Sequence, residues 1–167
     1  MNMNILRAQA APSRLHVLLL AALLGLAALA GAPQAKAQAV PAGYAVRPIV
    51  IRNDVGGDVG VRANEISAMR ASGQSVEIRG AVCYSSCTMF LALPGSCVSR
   101  HTQFGFHRPS YYGTALSPEK FEYWSQVIAA HYTTPLHDWY LRTGRYSTQL
   151  MMISGAEIIR LGVPECS

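Results

Sequence analysis

Two neighbouring serines and a histidine are the residues whose types and spacing could carry out nucleophilic chemistry. Ser85 and Ser86 follow a predicted strand over 75–82 and stand at the start of an apolar segment that predicts a short helix over 86–93. A serine at such a corner lies beside the unpaired N–H groups of the first helical turn, which can bind an oxyanion. His107 ends the next predicted strand and could return to the same sheet edge. The pattern indicates a serine–histidine acyl-transfer site.

Each of these residues also has a simpler interpretation. Serine is a common N-cap, so Ser85 and Ser86 could do no more than begin the helix that follows them. His107 precedes a loop that contains a proline and could be a structural hydrogen-bonding residue. The chemistry therefore depends on the elements that position these side chains.

The start of the chain, through residue 37, is typical of a secretory signal peptide. Arg7 and Arg14 precede an unbroken apolar run over 17–30, and Ala-x-Ala cleavage sites follow it. The run is shorter than the roughly 20 apolar residues that span a membrane comfortably. We expect export to the periplasm or the medium, with no stable membrane anchor after cleavage. The remainder predicts a flexible leader over 38–45 and one domain over 46–167.

The charge pattern does not favour nucleic-acid binding. The whole chain has 14 basic and nine acidic residues, a formal net charge of +5. Arg7, Arg14 and Lys36 lie in the predicted signal peptide, whereas all nine acidic residues follow it. The other basic residues are scattered singly and without interleaved aromatic residues, so we expect no nucleic-acid partner.

The cysteines indicate an oxidising compartment. Four are present, all after the signal peptide: Cys83, Cys87, Cys97 and Cys166. An even count in an exported chain favours two disulfides, for which the sequence allows three pairings. A zinc site is the competing interpretation, but the chain lacks two close C-x-x-C pairs. We expect disulfides, no metal and no cofactor.

The order of the predicted elements indicates an α/β domain. Strands are predicted over 46–52 and 75–82, with a Gly-Gly turn and a helix over 59–71 between them. The segments 97–100 and 103–107 predict two short strands or one bent strand, and three helices follow. These helices begin near Ser117, Thr134 and Ser154. The order βαβαβ followed by helices predicts mostly parallel strands covered on both faces.

Four segments, in order, resemble the Clp protease proteolytic subunit and the wider crotonase-like superfamily. They are the Gly-Gly turn within 51–59, the serine corner at 85–92, the histidine segment 106–109 and the closing helix within 153–163. The similarity is closest to the small, exported, cysteine-containing relatives. It implies a single crotonase-like domain, a (ββα)-type spiral of mostly parallel strands with flanking helices. Relatives often form trimers or rings, so a homo-oligomer is a further expectation.

The resemblance assigns roles to individual residues. It places Ser86 at the nucleophile, with Ser85 as the second candidate, and His107 at the general base. The N–H groups of Gly57 and Cys87 would form the oxyanion hole. A peptide or small acyl substrate is implied, and the residues expected to border it are Gly56, Arg108 and Tyr111.

One family feature is missing from the sequence. The third triad residue of the family is an aspartate shortly before the closing helix, and 149–152 contains no carboxylate at that place. Asp138 lies on a different predicted helix. A backbone carbonyl or a water molecule could orient His107 instead. The resemblance thus implies a serine hydrolase or peptidase with an incomplete triad, and the alternative is a catalytically inactive protein that binds peptides or partners in the same groove.

The resemblance also suggests a cysteine pairing. Cys83 and Cys87 flank the serine corner, where a bridge would rigidify the oxyanion hole. Cys97 begins a strand that, by the resemblance, runs beside the chain end and Cys166. The expected bridges are therefore Cys83–Cys87 and Cys97–Cys166.

Overall fold

The computed structural model describes residues 46–167. The predicted signal peptide and the predicted leader lie outside these described residues. Among the residues described, no helix is long and apolar enough to cross a membrane.

The described residues form an α/β domain, as predicted. The strands are β1 (Ile49–Asp54), β2 (Val76–Tyr84), β3 (Cys97–Val98), β4 (Gln103–Phe106), β5 (Ser110–Tyr111), β6 (Thr114–Ala115) and β7 (Met151–Ser154). The α-helices are α1 (Val59–Ser72), α2 (Pro118–Ala129), α3 (Thr134–Arg142) and α4 (Gly155–Arg160). Two 3₁₀ helices complete the set, Ser85–Ala92, here called the serine helix, and Gly144–Tyr146.

The main sheet is mixed but mostly parallel. Its order is β1-β2-β4-β7, with β3 beside the first half of β2. The pairs β1/β2, β2/β3 and β2/β4 are parallel, whereas β4/β7 is antiparallel. Opposite β2, Val98 faces Ile78 and Gln103 faces Val82, so β3 and β4 follow one another along the same side. The strand β7 was not predicted, because its four residues are too few to show a period that distinguishes a strand from a helix.

Local sequence signals set the helix ends. Asp58 begins α1, and its carboxylate accepts the N–H of Val61 at 2.8 Å. Gly73 ends that helix with a φ of 69°. Ser117 begins α2, with Pro118 in the first turn. These are the N-cap, C-cap and proline preferences from which the helices were predicted.

A β-bulge lets β1 reach the end of β2. The parallel register between the two strands shifts just before Asn53. At this point the strands come so close that a Cβ on Gly80 would overlap the carbonyl oxygen of Arg52. The side chain of Asn53 accepts the N–H of Ala81 at 2.9 Å, which replaces part of the interrupted ladder. The loop after β1 is thereby delivered to the carboxyl end of β2.

The core and two disulfides hold these elements together. Aromatic rings from β4 and the serine helix are fully buried, among them Phe90, Phe104 and Phe106. Cys83 is bonded to Cys87 and Cys97 to Cys166, with Cα–Cα distances of 5.3 and 4.9 Å. Both distances are ordinary for disulfides, and the pairing is the one that the resemblance implied.

Candidate active site

Ser85 forms a sharp corner between β2 and the serine helix. Its φ is 53°, a left-handed conformation that non-glycine residues seldom adopt and that costs free energy. A serine on a strained strand-to-helix turn of this kind has its hydroxyl exposed at the end of the sheet. Ser85 is half-buried and lines a cleft.

A buried chain of hydroxyl groups fixes the Ser85 backbone. Thr88 Oγ1 donates to the Ser85 carbonyl oxygen at 2.7 Å and is 2.6 Å from the Tyr132 hydroxyl. Because Thr88 has one hydroxyl hydrogen, Tyr132 is the donor in the second bond. Burial raises the pKa of Tyr132 well above its ordinary value, so the phenol keeps its proton. The hydrogen bonds of Thr88 and Tyr132 therefore stabilise the strained backbone at Ser85.

A disulfide closes the base of the same corner. Cys83 and Cys87 stand two residues before and two residues after Ser85, and both are fully buried. In the G-x-S-x-G turn these two positions are glycines. Here a covalent bond joins them, which restricts the strand and the helix that meet at Ser85.

His107 lies beside Ser85. Its Nε2 is 2.8 Å from Ser85 Oγ, and its Nδ1 is 2.7 Å from the carbonyl oxygen of Arg108. A carbonyl can only accept, so the hydrogen-bond network assigns the proton to Nδ1 and leaves Nε2 to accept from the serine hydroxyl. The residues meet because β2 and β4 are parallel neighbours and both side chains follow the carboxyl ends of their strands.

The segment that carries His107 is held on both sides. The N–H of Arg108 donates to the carbonyl of Ser147 at 2.8 Å. The Tyr140 hydroxyl donates to the carbonyl oxygen of His107 at 3.3 Å, and burial raises the pKa of Tyr140. The imidazole is thus oriented by fixed backbone groups.

Two expected site residues lie elsewhere. Ser86 was expected to be the nucleophile, but its side chain is 2% exposed and its hydroxyl has no hydrogen-bond partner among the described residues. The turn at Ser85 directs that residue into the cleft and the next one into the interior. Cys87 was expected to donate an oxyanion-hole N–H because it follows Ser86; both residues are buried, and neither side chain is among those that line the cleft. With Ser85 at the corner, the N–H that follows it belongs to Ser86.

The Gly-Gly turn packs against the corner. Gly56 has a φ of 93°, and a Cβ there would be 2.6 Å from Ser85 Cβ and 3.0 Å from the Ser86 nitrogen. Gly56 therefore packs against the corner. It was expected to border the substrate, but it is not among the residues that line the cleft. Gly57 does line the cleft, and its N–H donates no hydrogen bond within residues 46–167. The Ser86 N–H is at the second position of the serine helix, where a helix supplies no acceptor.

The cleft has a volume of about 370 Å³. Its floor consists of buried side chains that include Phe106, Ile128 and Tyr140. Arg108 lies at its side, and Tyr111 belongs to the short β5–β6 hairpin that borders it, so both expected substrate contacts line this space. The cleft is mostly apolar, and Ser85 and His107, together called the dyad, both line it.

Within residues 46–167, no carboxylate orients His107. All nine acidic residues of the chain lie in the described part, and none of them hydrogen-bonds this histidine there. The segment aligned with the missing triad residue continues into β7. Asp138 is bonded to His137 at 2.9 Å. The Arg108 carbonyl occupies the place at Nδ1 that a triad carboxylate would take.

A sequence signal for Ser85 exists in retrospect. It is the middle residue of Cys83-Tyr84-Ser85-Ser86-Cys87, and a bridge between the outer cysteines is symmetric about it.

No protein-family model matches the chain, and a search of curated proteins finds no match.

Proposed function

We propose that this protein is an exported serine hydrolase that uses Ser85 as nucleophile and His107 as general base. One observation carries the proposal, the 2.8 Å contact between Ser85 Oγ and His107 Nε2. That distance is within the range over which a base takes a proton from a hydroxyl. The opposite ring nitrogen is already bonded to the Arg108 carbonyl, which keeps the ring in the tautomer that the reaction needs.

The reaction follows from these positions. Ser85 Oγ attacks the carbonyl carbon of an ester or amide while its proton passes to His107 Nε2. The imidazolium then returns a proton to the leaving group, and an acyl-enzyme remains. Water, deprotonated by His107, cleaves the acyl-enzyme and restores the serine.

Two backbone amides are the candidates for binding the oxyanion. The N–H groups of Gly57 and Ser86 belong to the loop and the helix that meet at Ser85, and neither has a hydrogen-bond partner in the part of the chain that the structure describes. A donor of this kind contributes roughly 3 kcal/mol to stabilisation of the transition state. They differ from the Gly57 and Cys87 pair that the resemblance implies for a nucleophile at Ser86.

The Arg108 carbonyl can do part of the work of a triad carboxylate. In a well-studied triad, aspartate-to-asparagine replacement lowers the rate about 10⁴-fold because the histidine adopts the wrong tautomer. A carbonyl cannot donate, so at His107 it enforces the correct tautomer. It carries no charge, so it stabilises the imidazolium less than a carboxylate would. We expect activated esters to react faster than amides.

The fold and the disulfides support the proposal of an exported protein with a crotonase-like domain. The Gly-Gly turn follows β1, the serine corner follows β2 and His107 follows β4, three neighbouring parallel strands. This arrangement agrees with a crotonase-like domain related to the Clp protease proteolytic subunit. Two disulfides are typical of the periplasm or the medium. The mostly apolar cleft suits a peptide or a small acyl group.

The alternative is an inactive protein that binds peptides or partners in the same cleft. It is favoured by the neutral orienting group at His107, since no acidic side chain bonds to it among the described residues. In that case the dyad would be a structural remnant and the cleft would bind without cleaving.

Labelling with a fluorophosphonate, a serine-reactive probe, tests the proposal. The wild type and Ser86→Ala are expected to be labelled, whereas Ser85→Ala is not. His107→Ala should slow labelling about 100-fold or more, because the general base is lost. Loss of labelling in Ser86→Ala with retention in Ser85→Ala would reinstate Ser86 as nucleophile. A folded wild type that is not labelled would favour the binding protein.

A further inference from the structure

The carboxylate of Asp54 binds the first amide of the Gly-Gly turn. Asp54 ends β1, and its Oδ1 accepts the N–H of Gly56 at 2.7 Å. The N–H of Gly57, the next residue, has no such acceptor within residues 46–167. Asp54 thus satisfies one amide of the loop and leaves the following one available to a ligand.

Arg62 holds that carboxylate from α1. Its Nη2 is 2.6 Å from Asp54 Oδ2, and its Nη1 is 2.8 Å from Glu65 Oε2. The side chains of Arg62 and Asp54 are 14% and 19% exposed, whereas that of Glu65 is 48% exposed. The contact with Asp54 is therefore the better shielded of the two ion pairs, and screening by solvent weakens the other.

The same guanidinium contacts the serine helix. The Arg62 Cζ is 4.5 Å from the centroid of the Phe90 ring, and Phe90 is fully buried in that helix. The two proposed oxyanion donors lie on different segments, Gly57 on the loop after β1 and Ser86 on the serine helix. Arg62 reaches the first segment through Asp54 and the second through the aromatic ring.

We propose that Arg62 is a positioning residue that sets the separation of the two oxyanion donors. The inference rests on the proposed function, because the role assigned to Arg62 is to position the two amides of the proposed oxyanion hole. A planar guanidinium can bond in its plane to carboxylates and stack its face on a ring at the same time, which a lysine ammonium cannot do. Displacement of a reacting geometry by about 1 Å can cost about 100-fold in rate.

Arg62→Met and Arg62→Lys, with Glu65→Gln as matched control, test this on the intact protein. Met keeps the length and the apolar contact with Phe90 but loses the bond to Asp54. We expect the maximal rate of fluorophosphonate labelling to fall about 10- to 100-fold in Arg62→Met, with the half-saturating concentration within about twofold of wild type. Arg62→Lys should lose less, and Glu65→Gln should match the wild type. A merely structural role would lower Tm without lowering the labelling rate of the folded protein.

Amide hydrogen exchange gives a second readout that does not need activity. In Arg62→Met, exchange should become faster in residues 55–58 and 85–92 together, and remain unchanged in β4. If Ser85→Ala abolishes labelling but Arg62→Met labels and exchanges like the wild type, the positioning role is wrong and the hydrolase stands. If Ser85→Ala is labelled normally, the hydrolase proposal fails. If amide exchange in Arg62→Met is also unchanged in that case, Arg62 does not couple the loop 55–58 to the serine helix.

Discussion

Gly56 is the position where one added methyl group tests the whole construction of the site. Its φ of 93° is in a region that L-residues rarely adopt, and a Cβ there would lie 2.6 Å from Ser85 Cβ and 2.7 Å from the Tyr84 carbonyl oxygen. Ordinary contacts begin near 3.4 Å. The Gly56→Ala variant must therefore move the turn or the corner by nearly an ångström.

The expected cost combines backbone strain with this displacement. An unfavourable φ costs about 1–3 kcal/mol, and the steric contact against backbone atoms adds to it. We expect the free energy of unfolding to fall by about 3 kcal/mol, which lowers Tm by about 12 °C in a domain of this size. The displacement separates the proposed oxyanion amide of Gly57 from Ser85, so kcat/KM for an activated ester should fall about 100-fold.

Gly57→Ala is the matched control. A Cβ at Gly57 meets no described atom within 4 Å, and its φ is outside the positive range, so the variant should keep its Tm within a few degrees and serves as the control for stability. Thermal unfolding followed by circular dichroism and initial rates on a nitrophenyl ester measure both quantities. Equal Tm for the two variants, with the kcat/KM of Gly56→Ala equal to that of the wild type, would refute the close packing of the turn against Ser85.

Two further predictions concern stability. Removing the Cys97–Cys166 bridge, whose cysteines are 69 residues apart, should lower the free energy of unfolding in urea by about 4 kcal/mol. Removing the Cys83–Cys87 bridge, whose cysteines are four residues apart, should lower it by about 2 kcal/mol. Equal losses would contradict the explanation by loop entropy. Above pH 10 the free energy of unfolding should decline, since burial raises the pKa of Tyr132 above its ordinary value of 10.0 and only the unfolded phenol ionises there. Tyr132→Phe should decline less steeply with pH between 9 and 11, and an identical slope would dismiss this residue as a cause.

Local signals determined much of the fold. Asp58, Gly73 and Ser117 mark helix ends by the hydrogen bonds and backbone angles that their types favour, and the structure has helices at those places. The alternation of strands and helices predicted a mostly parallel sheet, because parallel strands need a crossover between them. The antiparallel strand β7 was missed, since its pairing depends on β4, which lies far away in the sequence.

The sequence by itself identified a serine corner, a Gly-Gly turn and a histidine that parallel strands would bring to one edge. The resemblance favoured Ser86 over Ser85. Adjacent hydroxyls are chemically equal, and only the backbone turn at Ser85, with its φ of 53°, decides which one faces His107. The sequence could not place the Arg108 carbonyl on Nδ1 or Arg62 between Asp54 and the serine helix. Every residue has a backbone carbonyl, so the sequence cannot show which one accepts from His107. The contacts of His107 and Arg62 form only when segments that are separate in the sequence pack against one another.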